Sequence, residues 1–138
     1  IDVRIIRFGF VYGDGDPHLQ DYLSLIPTFK VHPGQRLHIV HHLDIAQALF
    51  LLLKTEGIGG EIFNVGDDAP VTYYEIAKMF GRQKTAFNYS YKVPDNPFQA
   101  IMDTSKIRTV IGFRPLVPTL FYAKDMDILE SKLKMKEI

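Results

Sequence analysis

Val3 to Phe10 is a nearly continuous apolar run, closed by Tyr12-Gly13-Asp14-Gly15-Asp16-Pro17. A strand with one wet face alternates polar and apolar residues, and this one does not. It therefore predicts a strand covered on both faces, as in a parallel sheet flanked by helices.

The period then changes. Leu19, Tyr22, Leu23 and Ile26 recur at helical spacing, with Pro27 expected to close the helix. Leu37 to His41 reads as a second short strand. Asp44 stands where an N-cap belongs, ahead of a stretch from Ile45 to Lys54 so apolar that it predicts a helix buried on most sides. As a cap Asp44 would be worth about 1 kcal/mol, and Leu49 in that helix about 2–5 kcal/mol against alanine. Gly57, Gly59 and Gly60 end it. Glu61 to Val65 is a third strand, and Thr72 with Glu75 forms a capping box for a helix reaching Gly81. Phe87 to Val93 suits a strand or extended arm. Asp103 to Val110 predicts a short helix capped at Gly112, and Leu120 to Lys136 a final amphipathic helix with a basic end. Strands alternating with helices make this an α/β chain.

Composition narrows the function classes. The 138 residues amount to about one domain. Sixteen basic residues offset sixteen acidic ones, which argues against a nucleic-acid groove or an anionic membrane face. The apolar run Ala48 to Leu53 falls far short of the roughly 20 residues that cross a bilayer. Without cysteine there is no disulfide, thiolate nucleophile or zinc–cysteine site, and a cytoplasmic location is expected. The opening Ile1-Asp2-Val3-Arg4 enters a strand directly and carries no signal-peptide pattern, so a fragment of a longer fold is expected.

Candidate chemistry is sparse. Gly13-Asp14-Gly15, Gly57-Ile58-Gly59-Gly60 and Gly66 complete no phosphate-binding pattern, and Asp14 and Asp16 would repel a phosphate, so these read as turns. His38, His41 and His42 are the densest group of metal-capable side chains. Their setting at a strand–helix junction fits hydrogen-bonded structural histidines better than a metal site. Tyr74 and Lys78 have Y-x-x-x-K spacing but follow a capping box, with no dinucleotide fingerprint ahead of them, and are not expected to be catalytic.

Four segments carry a resemblance. Arg7-Phe8-Gly9-Phe10-Val11-Tyr12-Gly13-Asp14-Gly15 resembles R-x-x-N-V-Y-G-P-G of the extended short-chain dehydrogenases/reductases, the NAD-dependent epimerase/dehydratase family. Val40-His41-His42-Leu43-Asp44-Ile45-Ala46 is similar to the family's V-H-V-x-D-V-A. Phe63-Asn64-Val65-Gly66 with Pro70-Val71-Thr72 resembles Y-N-V-G followed by P-V-T. Asp103-Thr104-Ser105-Lys106 with Ile111-Gly112-Phe113-Arg114-Pro115 resembles D-x-S-K and L-G-x-x-P. All four stand in the family's order.

The resemblance implies the C-terminal part of a Rossmann-type parallel sheet plus a small substrate-binding lobe, residues 1–138, with the dinucleotide-binding portion absent. The glycine fingerprint and catalytic Y-x-x-x-K would then lie before Ile1. It also implies NAD or NADP as cofactor of the parent protein and a small-molecule substrate. The missing N-terminal half and a possible homodimer are the expected partners. Phe8 would sit near the nicotinamide, and Phe10, Tyr12 and Arg36 would face substrate. Phe10 replaces an asparagine that touches substrate in nucleotide-sugar enzymes, and Asp14 replaces a proline. Leu37 takes the place of a diphosphate-gripping arginine, with Arg36 one residue off, and Phe98 and Gln99 stand where another arginine is usual. Two parent activities stay open, a nucleotide-sugar epimerase or dehydratase and an oxidoreductase for a small, partly apolar carbonyl. The alternative class is a non-catalytic regulatory or binding protein that kept the fold.

Overall fold

The computed structural model describes residues 1–13, 15, 16 and 18–129. In chain order the elements are β1 (Ile5–Phe8), β2 (Phe10–Tyr12), α1 (His18–Phe29), β3 (Arg36–Leu37), β4 (Ile39–His41) and α2 (His42–Lys54). They are followed by β5 (Ile62–Val65), β6 (Val71–Thr72), α3 (Tyr73–Met79), α4 (Ser105–Ile111) and α5 (Leu120–Asp125).

The expected parallel pairing is present. β1 runs parallel to β5, Ile5 opposite Ile62 and Phe8 opposite Val65. β2 runs parallel to β4, Phe10 opposite Ile39 and Tyr12 opposite His41. The single strand read from Val3 to Phe10 is thus two, and it changes partner at Gly9. The Gly9 amide bonds Val65 O at 2.9 Å, and the next amide, Phe10, bonds His38 O at 2.8 Å. A side chain at Gly9 would come within 2.6 Å of that His38 carbonyl, so only glycine lets the chain cross. The second strand divides likewise at His38. Its first part, β3, pairs antiparallel with β6 and builds the small lobe.

Strand alternation sorts the core into two layers. Ile39 and Tyr12 join Leu19, Leu23 and Ile26 of α1, Ile76 of α3 and Leu120 of α5. Val40 turns to the other face and joins Phe63, Val65, Ala48 and Leu52 of α2, and Ile107 and Phe113 around α4. Helices cover both faces of the β2–β4 pair, as in the doubly wound arrangement.

Several expectations need correction. β1 is not covered on both faces: Ile5 is 44% and Phe8 38% exposed, because among the described residues its only partner is β5. In a parallel ladder alternate residues bond to opposite sides. The amides of Ile5 and Gly9 go to Glu61 and Val65, so those of Ile6 and Phe8 face an open edge. α2 is not buried on most sides either. Ala48 and Leu52 are buried, while Leu49, Phe50 and Leu53 are exposed, since sheet packs on one face only. Its N-cap is His41, whose ring accepts the Leu43 amide, and not Asp44. α1 runs two residues past Pro27 and stops where Lys30 turns left-handed at φ 50°. Phe87 to Val93 forms no strand, because the Asn88 side chain accepts the Ser90 amide and the Asn88 carbonyl accepts the Tyr91 amide, closing a turn. The last helix ends at Asp125, with Asp127 at φ 58°, and the basic end expected to Lys136 lies outside the described residues. The capping box of α3 and the left-handed Gly112 after α4 are as expected.

The exposure of α2 reverses the expected ranking of its leucines. Leu52→Ala should cost about 2–5 kcal/mol by leaving a cavity, and Leu49→Ala less than about 1 kcal/mol. Urea melts of both variants test this, and a costlier Leu49 change would mean that α2 buries its other face.

Candidate functional site

Ligands of open α/β sheets collect beyond the carboxyl ends of the strands. Here those ends are Phe8 on β1, Tyr12 on β2, His41 on β4 and the turn Gly66-Asp67 after β5. What fills that end of the sheet is a polar network, and most of it is buried.

His38 and His41 organise it. The His38 Nδ1 accepts the Met102 amide at 3.2 Å, so its Nε2 carries the hydrogen and donates to Asp67 O at 3.0 Å. The His41 Nδ1 accepts the Leu43 amide at 3.1 Å, and its Nε2 donates to Ile128 O at 2.9 Å. Each ring packs closely against a glycine. A side chain on Gly66 would sit 2.4 Å from His38, and one on Gly13 would sit 2.3 Å from His41. Gly13 also has φ 105°, which side chains rarely adopt. These glycines make room for imidazoles rather than for phosphate, while Gly57 and Gly60 take left-handed φ in turns. His42 instead meets Asp16 Oδ2 at 3.3 Å, and the same carboxylate takes His18 at 2.7 Å. Among the described residues no group of three or more His, Asp or Glu could hold a metal ion.

Two carboxylates lie beneath. Asp44 is fully buried and accepts the amides of Leu116 at 2.5 Å and Val117 at 3.1 Å. Burial raises its pKa, and those two amides oppose the rise. Losing it would strand the buried Val117 amide, at about 1–3 kcal/mol, and also unpair the half-buried Leu116 amide, so its loss should exceed that of a cap. Asp67 accepts the Ala69 amide through Oδ1, while its Oδ2 has no hydrogen-bond partner among the described residues. Burial pushes its pKa up to about 7, against the pull of the Ala69 amide, with Asp68 and Asp44 adding to the rise and Arg108 opposing it. Arg108 crosses from α4 to Asp68 at 2.5 Å and to the Asp67 carbonyl at 3.4 Å, and Asn64 donates to Asp103 O at 3.1 Å. Sequence reasoning missed Asp67 and Arg108. The detectable signal was an acidic pair immediately after a strand end.

The residues singled out from the sequence fall in different settings. Phe8 is exposed at the end of β1. Phe10 is half-buried, with its ring 4.7 Å from Tyr22, which stacks on Tyr73 at 5.5 Å. Tyr12 is fully buried edge-on to His41, and its hydroxyl has no partner among the described residues. Burial, then the charges of Asp67 and Asp44, raise its pKa far above neutral, so Tyr12 is a packing group with no ready proton. Arg36 donates to Pro70 O at 3.1 Å and lies 5.4 Å over the Phe98 ring. Leu37 packs at the rim of the α1 core. Phe8 closes β1 and Phe10 opens β2 on either side of Gly9, and Arg36 belongs to the separate β3–β6 pair. Asp14 lies outside the described residues.

Asp67 gives the network a pH signature. Its folded pKa of about 7 lies above the unfolded value of 3.8, so the folded state holds the extra proton between those limits. Stability should therefore fall as pH rises from about 4 to 7 and level off above. Asp67→Asn should remove that slope and gain about 1 kcal/mol or more at pH 8. Thermal melts from pH 5 to 8 check it, and parallel curves for the two proteins would contradict it.

No protein-family model matches the chain. A dTDP-glucose 4,6-dehydratase of Streptomyces niveus is 33% identical over 110 residues, covering 68% of this chain and 32% of that enzyme. The crystal structure of UDP-glucuronic acid 4-epimerase from Bacillus cereus, in complex with UDP-glucuronic acid and NAD, matches with a TM-score of 0.64. Its identity is 22%, over 94% of this chain and 44% of that one. The dTDP-glucose 4,6-dehydratase of Streptomyces venezuelae, crystallised with NAD, matches with a TM-score of 0.54 and 23% identity, over 91% and 44%. The chain thus spans about a third of the curated relative and less than half of either solved structure. By sequence likeness to the dehydratase over 110 residues and by a shared fold, the chain is similar to the NAD-dependent epimerases and dehydratases.

Proposed function

We propose that residues 1–138 are the C-terminal, substrate-facing part of an NAD(P)-dependent enzyme acting at a hydroxyl or carbonyl carbon of a nucleotide sugar. The observation that carries this reading is the open edge of β1. A parallel strand with one bonded side and apolar faces left exposed at Ile5, Phe8, Leu49, Phe50 and Leu53 calls for more sheet beside it.

The dinucleotide fits this chain only in part. Pyrophosphate binding needs bare amides at a strand–helix turn, and the glycines here are occupied by His38 and His41 or bent into turns. Those amides would belong to the other portion of the sheet. This chain offers Phe8, whose exposed ring at the end of β1 suits a flat nicotinamide. When bound, the nicotinamide supplies the hydride donor and acceptor. The buried His38–Asp67 and Asp44 bonds hold the strand ends fixed while substrate is seated. Proton transfer is assigned to a tyrosine of the other portion, since Tyr12 is buried and Tyr74 lies on α3 behind its capping box.

A nucleotide sugar is favoured because the similar proteins act on dTDP-glucose or bind UDP-glucuronic acid. Arg36 keeps further N–H donors beyond the one given to Pro70, enough for a diphosphate oxygen. A second reading, a small and partly apolar carbonyl substrate, is supported by Phe10. Its ring packs on Tyr22 and offers no hydrogen bond to a sugar hydroxyl.

The isolated chain should show no micromolar binding of NADH or NADPH by fluorescence titration, while a full-length protein containing it binds one of them. Full-length turnover of dTDP-glucose or UDP-glucuronic acid should drop about ten- to a hundredfold in kcat/KM with Arg36→Ala. Micromolar NADH binding by the isolated chain would overturn the proposal. Turnover of simple ketones alone would favour the second substrate reading. Cofactor binding with no turnover of either would point to the non-catalytic class.

A further inference from the structure

We propose that the cleft between α3 and α5 is a binding site for a small aromatic anion, an aryl phosphate or aryl carboxylate. It is lined by Tyr74, Glu75, Lys78, Met79, Phe121 and Lys124 and encloses about 300 Å³. That volume lies at the lower end for small-molecule sites and suits one ring bearing one acidic group, far less than a dinucleotide. Two lysines line it, Lys78 from α3 and Lys124 from α5, and neither side chain has an ion-pair or hydrogen-bond partner among the described residues. The acidic wall is already committed. Glu75 Oε2 accepts the Thr72 amide at 2.7 Å and the Thr72 hydroxyl at 2.8 Å, which draws its charge back to the helix start. Two aromatic walls stay accessible, with Tyr74 39% and Phe121 48% exposed. Tyr74 is held in place by stacking on Phe87 at 6.5 Å, so its free face is preset for a second ring.

The chemistry that matches is a flat ring between Tyr74 and Phe121 with its anionic group on Lys78 and Lys124. Neither half suffices by itself. Exposed lysines hold a bare anion weakly against salt, and one exposed ring contact adds little. Both together restrict the ligand class to aromatic anions. The site uses none of the residues placed at the strand ends, so its failure would leave the proposed enzyme reading intact.

The test is calorimetric titration of the chain with phenyl phosphate, inorganic phosphate and benzyl alcohol at low salt, with amide chemical shifts followed by NMR. Phenyl phosphate should bind at least about tenfold tighter than either single-feature probe and shift the amides of Lys78, Phe121 and Lys124. Lys78→Ala, Lys124→Ala and Phe121→Ala, whose unchanged melts show intact folds, should each weaken it about threefold or more. Equal affinity for inorganic phosphate and phenyl phosphate would overturn the proposal. So would shifts confined to other residues, or folded variants that bind as the parent does. Lys78→Arg should keep the affinity, and a loss as large as that of the alanine variant would count against the charge contact.

Discussion

The buried carboxylate of Asp44 fixes more of this structure than any other side chain. It sits in the first turn of α2, yet its two oxygens are given to the amides of Leu116 and Val117, more than seventy residues along the chain. That bond ties the helix packed on one face of the sheet to the loop feeding α5 on the other face. A charged group buried so fully persists only where its hydrogen bonds offset the loss of water. His41, three residues earlier, does the same with the Ile128 carbonyl. The two helical layers are therefore joined at the strand ends by hydrogen bonds.

The sheet's carboxyl end is correspondingly rigid. His38 spans from the Met102 amide to the Asp67 carbonyl, and Arg108 reaches the same carbonyl and Asp68. One family-like segment supplies His41 and Asp44, and two others meet in the bond from Asn64 to the Asp103 carbonyl. Their residues act as staples, and the surfaces available to a ligand are built on top of them. Phe8 is exposed at the strand ends and Tyr12 is buried beneath.

Much of the fold was legible in the sequence, for physical reasons that can be named. The turn residues after each apolar run, the Thr72–Glu75 box and the glycine at 112 are local signals, and local signals hold up. What failed depended on distant partners. Asp44 looked like a cap because helix starts favour aspartate, and nothing near it in sequence announces the loop at Leu116. Leu49 looked buried because α2 is apolar all round, whereas within the described residues the helix buries Ala48 and Leu52, with Ile45 and Leu51 packed at the rim, and leaves Leu49 exposed. Asp67 was passed over because an aspartate after a strand usually marks a solvated turn. Gly13 does open a turn, closed by the Asp16 amide on its carbonyl, but the histidine rings that require Gly13 and Gly66 come from the distant segment around β4.

The over-apolar α2 and the uncovered β1 point the same way. They are correct for a sheet that continues past β1 and wrong for one that ends there. Amide hydrogen exchange along β1 in the 138-residue chain tests this most directly. The account predicts that Arg7 and Gly9, bonded toward β5, exchange slowly, while Ile6 and Phe8 exchange quickly until the rest of the sheet is joined to the chain. Equal protection at all four positions in this chain by itself would show that the edge is already closed and would contradict it.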